Sequence, residues 1–511
     1  MECNATLRCE QESLLNAAIE AHQCGDLDKA QTLYESVLKN APENADALAL
    51  LGVLYEAQGR YDEAIAQIKQ AIQIDPKAGL FFFYLGNVLR GGESWPEAVS
   101  AYRRAGELQP DFAQTFFFLG LSLNRCGAQK EALQAYEKAF ALQPDNMPEA
   151  LYNAALTHQL CGNYDAARAA LLRLIDVTGQ NVTDEQLFSG HEHLLGKWHF
   201  HLALLELLSG DYARGFARYR ARFCLRKRPA FSAPLWHGEN PNGKTILFYA
   251  EKGFGDALML VRYLPMVKEK GARVVLICKA PLVSLFSSLP CIDEIIEEEQ
   301  IVPLFDFYAS LFDLPHIFGT TTDTIPLDIP YLSPPVPKAS LQCDLNKMKV
   351  GLVWAGNPAF GTDRLRSLPF SDVMTLFDSE VIQEKVSFYN LTREATEEEV
   401  CRLQEKGAVN LVSQIKDFSD AARFISQLDL IICCDTALAH LAGALGKKVW
   451  ILVTPEPDWR WGLQQEEALW YPSMRIFRQS KPEDWKSVMK TVCAALETAF
   501  QETAKSTMTG T

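Results

Sequence analysis

Two short stretches of this chain combine the residue types that chemistry at a phosphate-bearing cleft requires. The first is Gly253-Phe254-Gly255-Asp256, which follows the apolar run Thr245–Ala250 and opens an amphipathic segment. A carboxylate at the carboxyl end of a strand in an open α/β sheet faces the ligand crevice, where it can act as a general base on a hydroxyl. Gly253 and Gly255 would let a ligand approach the backbone. They serve equally well as a tight turn, with Asp256 as an ordinary helix N-cap. The second stretch is Asp435-Thr436-Ala437, set between the apolar run Leu428–Cys434 and a small-residue segment that carries His440. A strand that stops at a polar corner and restarts as a helix leaves free N–H groups and a positive dipole end there, which suits a phosphate. His440 lies one turn after Thr436 and reads either as a diphosphate contact or as a satisfied core histidine.

Three more residues belong to a possible donor side. Asn357 sits in the turn Ala355–Pro358 after the strand Lys349–Trp354, and Arg364 and Arg366 follow in a polar loop. Arginine suits bidentate contact with phosphate, although arginines in loops are usually solvated. Trp459 and Trp461 flank Arg460 and could stack on a sugar or a base, or could anchor the loop by packing. His316 is a lone histidine among apolar neighbours and reads as structural. The thirteen cysteines lack paired metal spacing, which points to reduced thiols and no metal site; separately, no bound cofactor is expected.

Strands alternating with helices must hold these residues. The pattern gives one Rossmann-like half over 245–345 and a second over 346–500, with a hinge at Ser333–Pro337. A final helix over Pro482–Phe500 carries Trp485, Val488, Met489, Val492 and Ala495 on its apolar face and should dock on the body. Residues 501–511 read as a disordered tail, and 229–244, rich in Pro, Gly and Asn, as a linker.

The N-terminal region is a repeat. Ala30, Ala64, Ala98 and Ala132 recur every 34 residues, as do Pro42, Pro76, Pro110 and Pro144. Leu51-Gly52, Leu85-Gly86 and Leu119-Gly120 mark the first helix of each unit, Tyr34, Tyr102 and Tyr136 the second. Gly25, Gly59 and Gly127 fall at the turn between helices, where the third unit has Glu93 instead. Weaker units follow at Gly162–Ala167 and Gly210–Tyr219, so the array is expected over 10–228.

The chain has 511 residues, 48% of them hydrophobic, and a formal net charge of −15. That length calls for several domains, and the acidic sum argues against a nucleic-acid partner. Without a leader-like apolar region or a long apolar segment, a cytoplasmic protein with no membrane span is expected.

The 34-residue pattern closely resembles the tetratricopeptide repeat, which implies a solenoid whose groove holds a protein or peptide partner. From about residue 245 to 495, the Gly-x-Gly-Asp turn and the segment Asp435–Gly446 resemble GT-B glycosyltransferases, above all the ADP-heptose:lipopolysaccharide heptosyltransferase-like family. The implied fold class is an α-helical repeat solenoid followed by an α/β GT-B fold of two Rossmann-like halves. The implied activity is metal-independent transfer of a sugar from a nucleotide diphosphate-sugar to a hydroxyl of a glycan or polypeptide. Asp256 matches the family's catalytic base, and Thr436, Ala437 and His440 match its donor-binding segment. The family's donor-site lysine has no clear counterpart, and Arg364 or Arg366 stands in its place. The architecture is also similar to the O-linked N-acetylglucosamine transferases of proteins. The alternative is a non-catalytic repeat scaffold with a degenerate GT-B domain.

Overall fold

The computed structural model describes residues 2–178, 193–225, 228–251, 253–298, 300–335, 341, 347–359, 361 and 363–508. Lys252 of the Gly-rich turn, Val336 and Pro337 of the hinge, and 509–511 of the tail lie outside the described residues. The chain divides into two compact units, Met1–Gln186 and Leu187–Thr511.

Among the described residues the first unit is built from five helix pairs. They are α1 (Glu2–Gln23) with α2 (Leu27–Asn40), α3 (Ala45–Ala57) with α4 (Tyr61–Ile74), α5 (Gly79–Gly91) with α6 (Trp95–Leu108), α7 (Ala113–Arg125) with α8 (Gln129–Leu142), and α9 (Pro148–Leu160) with α10 (Tyr164–Val177). The repeated small residues explain the close pairing. A Cβ on Gly86 or Gly120 would come within 2.6 Å of the ring of Tyr102 or Tyr136, so only glycine lets the second helix of each pair lie so near the first. Tyr34, Tyr102 and Tyr136 are wholly buried between helices. The turn glycines Gly25, Gly59, Gly127 and Gly162 have φ of 73–80°, and Glu93 takes the same left-handed backbone at φ 59°.

The second unit begins with α11 (His193–Leu208) and α12 (Tyr212–Tyr219). Repeat-like spacing carries through this pair to residue 228, yet the compact repeat unit ends at Gln186. The reason is packing. Tyr212 accepts a hydrogen bond from Trp470 Nε1 at 3.1 Å, and Phe216 meets Trp459 edge to face with ring centres 5.5 Å apart. The pair is therefore part of the α/β unit.

Two parallel sheets follow. In the first, β1 (Thr245–Tyr249), β2 (Arg273–Cys278), β3 (Glu294–Glu297) and β4 (Phe307–Ser310) lie in the order β3-β2-β1-β4. In the second, β5 (Met348–Val353), β6 (Val386–Asn390), β7 (Val409–Asn410), β8 (Leu430–Cys434), β9 (Val449–Val453), β10 (Glu467–Ala468) and β11 (Tyr471–Arg478) lie in the order β10-β11-β9-β8-β5-β6-β7, with β10 antiparallel. Both orders reverse direction once. In the first sheet the reversal lies between β1 and β4, and in the second between β5 and β8. Such switch points open a crevice at the strands' carboxyl ends. The turn at Gly253–Asp256 leaves β1, and the corner at Asp435-Thr436 leaves β8, so both candidate stretches stand at switch points.

Residues 229–244 do not form a free linker. Trp236 N–H donates to the Tyr308 carbonyl at 2.9 Å and Tyr308 N–H to that of Pro234 at 3.1 Å, which adds a short parallel bridge to the outer side of β4. Phe231 packs beneath it against Tyr249 and Tyr308. The final helix α15 spans Trp485–Met508, so 501–508 continue the helix where the sequence reads as a tail. Its residues Trp485, Val488, Met489, Val492 and Leu496 close the core over β5, β6 and β8.

Glu93→Gly removes a Cβ from a left-handed turn and should stabilise the repeat unit by about 0.5–1 kcal/mol, after allowing for the added freedom of the unfolded chain. A urea midpoint that stays level or falls would show that Glu93 sits there without strain.

Candidate functional site

The candidate base reaches the second sheet through one ion pair. Asp256 lies in the first turn of α13 (Phe254–Leu260), and its Oδ1 accepts from Arg460 Nη2 at 2.5 Å. Arg460 also donates from Nη1 to Asp458 Oδ1 at 2.6 Å, stacks on Trp459 and is 8% exposed. Burial alone would lower its pKa, but Asp458 and then Asp256 hold the guanidinium firmly charged. Gly253 is needed because a Cβ there would run into Asp256 Oδ2. Gly255 is needed for the approach of the two halves, since a Cβ on it would lie 2.7 Å from His440 Cδ2.

Across from Asp256, Thr436 is the N-cap of α14 (Ala437–Ala444). Its side chain makes no capping bond, so the helix start keeps unsatisfied N–H groups, including that of Ala437. Asp435, just before it, has its carboxyl pushed up to about 6, first by burial and then by the charge of Asp458, against Trp461, Arg460 and Arg366. Arg366 stands beside this corner. Its Nε donates to Asp363 Oδ1 at 2.9 Å, and its guanidinium lies against Gly356.

The remaining sequence candidates are placed differently. His440 is 5% exposed, shares a hydrogen bond between Nδ1 and the Tyr471 hydroxyl at 3.0 Å, and stacks on Trp461 at 5.3 Å. Burial, Arg460 and Arg262 push its pKa well below 6.5, so it is neutral and serves as packing between the halves. Trp459 and Trp461 are 4% and 1% exposed and offer no face to a sugar or base. Their rings are taken by Tyr212, Phe216 and Trp470 on one side and by His440 on the other. Arg364 is 90% exposed, its nearest carboxylate partner being Glu483 at 3.7 Å. Asn357 is exposed, with Oδ1 accepting from Ala359 N–H in a local turn. Asp256, Thr436, Asp435 and Arg366 thus stand at the crevice with Gly253 and Gly255; Arg364 and Asn357 face solvent.

Two buried arginines, one at the crevice and one behind it in the packing, escaped the sequence reading. Arg460 was visible as a cation between two tryptophans, but its partner lies 204 positions away. Arg262, 4% exposed, donates to the Trp470 carbonyl and the Tyr331 hydroxyl, both at 2.9 Å, and packs over Tyr471. Among the described residues no group of three or more His, Cys, Asp or Glu gathers as a metal ion requires, and no helix is long and apolar enough to cross a membrane.

The raised pKa of Asp435 has a testable sign. Its folded value of about 6 lies above the ordinary 3.8, so its contribution to stability is fully present below the unfolded pKa and is lost as pH rises through the folded one. Asp435→Asn mimics the protonated form. The stability of the variant relative to wild type should therefore rise between about pH 4 and 7. Urea titrations giving a flat difference over that window would mean that the carboxylate is well solvated.

Comparisons with known proteins fall on the same division. Tetratricopeptide-repeat profiles match residues 15–79, 84–147 and 148–181, and the glycosyltransferase family 9 (heptosyltransferase) profile matches 385–502. Protein FlbA of Caulobacter vibrioides is 27% identical over 335 residues, which cover 59% of this chain and 55% of that protein. The chain thus spans about half the length of this relative. Among solved structures, MamA is 26% identical, covers 32% of this chain and 94% of its own, and has a TM-score of 0.30. YrrB, a tetratricopeptide-repeat protein with an unusual peptide-binding site, is 26% identical, covers 33% and 86%, and also has a TM-score of 0.30. The chain carries tetratricopeptide repeats in its N-terminal region and a heptosyltransferase-family domain at its C-terminal end.

Proposed function

We propose that the second unit is a GT-B glycosyltransferase that moves a sugar from a nucleoside diphosphate-sugar to a hydroxyl of a glycan or polypeptide without a metal ion. The observation that carries the proposal is the meeting of Asp256, from the first sheet, with Arg460, from the second, close to the uncapped start of α14. In the resting protein the Asp256 carboxylate is engaged by the Arg460 guanidinium. A donor diphosphate at the start of α14 would compete for Arg460 and free the carboxylate. Asp256 would then take the proton of the acceptor hydroxyl as its oxygen attacks the anomeric carbon. The bond from that carbon to the diphosphate oxygen breaks, and the nucleoside diphosphate leaves with its charge met by the helix N–H groups, Arg366 and Arg460. The repeats would recruit the acceptor or a protein partner. YrrB offers a precedent for a peptide-binding array.

Asp256→Asn keeps an oxygen to accept from Arg460 and should lower transfer at least about 100-fold per folded molecule, the folded fraction being read by circular dichroism. Wild-type activity should survive chelation of divalent metals. Calorimetry against ADP-, GDP-, UDP- and CMP-linked sugars decides the class: no heat with any of them leaves the non-catalytic scaffold. Removal of residues 1–186 should spare donor binding and abolish use of the acceptor.

A further inference from the structure

The helical pair ahead of the first sheet reaches the crevice through its last residue. Tyr219 ends α12, and its ring stacks on Phe312 with centres 5.0 Å apart, while Phe200 of α11 lies against it at 5.2 Å. Phe312 sits in the turn Leu311–Asp313 that follows β4, and the Arg460 guanidinium lies 5.8 Å from the centre of its ring. The contacts thus run without a break from Tyr219 through Phe312 to Arg460, and from there to Asp256. The phenol answers to this setting. Burial raises its pKa most, and of the charges that act on it Asp256 comes first, then Arg460, Arg222 and Glu251.

Its hydroxyl has no partner inside the protein. The ring is fixed by its aromatic neighbours, and the Tyr219 carbonyl accepts from Arg222 Nη1 at 3.3 Å. Among the described residues, however, no group hydrogen-bonds the hydroxyl, and Tyr219 keeps part of its surface open. A rigid phenol of this kind is left for water or a ligand to satisfy. Glu251, just beyond the carboxyl end of β1, is half used in the same way. Its Oε1 accepts from Arg222 Nε at 2.9 Å, from Arg222 Nη2 at 2.7 Å and from Ser310 Oγ at 2.5 Å. Its Oε2 accepts from nothing among the described residues. Arg222 is 3% exposed and also holds Asp313 at 2.9 Å, so Glu251 cannot turn away without stranding part of a buried cation's charge. One acceptor oxygen is therefore fixed at the sheet edge where ligands bind.

We propose that Tyr219 and Glu251 hold the acceptor, a sugar whose neighbouring hydroxyls meet the phenol and Oε2 while the attacked hydroxyl lies at Asp256. The role of Asp256 rests on the glycosyltransferase reading, and the subsite names the acceptor that the reading leaves open. A carboxylate oxygen only accepts and a phenol both donates and accepts, so together they match adjacent O–H groups on one ring. A serine or threonine side chain brings a single hydroxyl, which Asp256 would claim, and leaves the other two groups unmet. The pair α11–α12, similar in spacing to the repeats, thereby supplies a wall of the site.

Saturation-transfer NMR on the full chain tests the subsite, with the methyl glycosides of glucose, galactose, mannose and N-acetylglucosamine as probes. At least one should bind saturably, and Tyr219→Phe should raise its Kd about five- to tenfold, as the loss of one hydrogen bond does. The hydroxyl removed bonds nothing inside the protein, so folding is spared. Glu251→Gln should weaken binding further, with the folded fraction read by circular dichroism because Arg222 loses a charged partner. Binding that Tyr219→Phe leaves unchanged, or a wild type that takes none of the four glycosides, overturns the proposal. Calorimetry with nucleoside diphosphate-sugars separates this from the glycosyltransferase reading. Glycoside binding that depends on Tyr219, without donor heat, keeps the subsite and removes the transfer; donor heat with glycoside binding indifferent to Tyr219 does the reverse.

Discussion

The α/β unit depends on one buried cation. Arg460 holds Asp458 beside it in the chain and Asp256 across the crevice, and it does so at 8% exposure. A guanidinium at that depth is tolerable only while its carboxylates remain, since losing one partner leaves an uncompensated charge in low dielectric. The side chain assigned to chemistry is thus also a tie between the two sheets. Gly255 against His440 is the steric half of the same contact, because without a Cβ the start of α13 can rest on α14.

Around that tie the unit has placed its largest aromatic groups. Trp459, Trp470, Tyr212 and Phe216 form one cluster, and Trp461, His440 and Tyr471 another, with Arg262 lying over Tyr471 and Trp470. The loop Thr454–Gly462 therefore gains its position from packing, and its arginine is presented rigidly. Stiff aromatic backing of this kind keeps a charged group within a narrow geometry, as a preorganised site requires.

Much of this was legible in the sequence where the signal is local. The 34-residue period names the repeats because each unit repeats the same contact, and Glu93 is conspicuous because every neighbour has glycine. Strand, corner and helix at Leu428–Gly446 follow from hydrophobic pattern alone. What stayed hidden is long-range. No spacing rule ties Arg460 to Asp256, or Trp470 to Tyr212 at a separation of 258 residues. For the same reason the sequence places the last repeat-like pair in the array and does not choose between stacking and packing for Trp459 and Trp461. Aromatic type announces a large contact area but does not say whether protein or ligand will cover it.

The bridge between Pro234–Trp236 and Tyr308 matters beyond its size. β4 is the outermost strand of its sheet, and an uncovered parallel edge offers N–H and C=O groups to any extended chain that meets it. The strap answers those groups from within the same chain. A fragment begun at Thr245, at the first strand of the first α/β half, would leave that edge open and the aromatic patch at Tyr249 and Tyr308 without Phe231. The Tyr308 N–H and C=O would then turn to water or to another extended chain, so these few residues between helix and sheet close that part of the β4 edge within the unit.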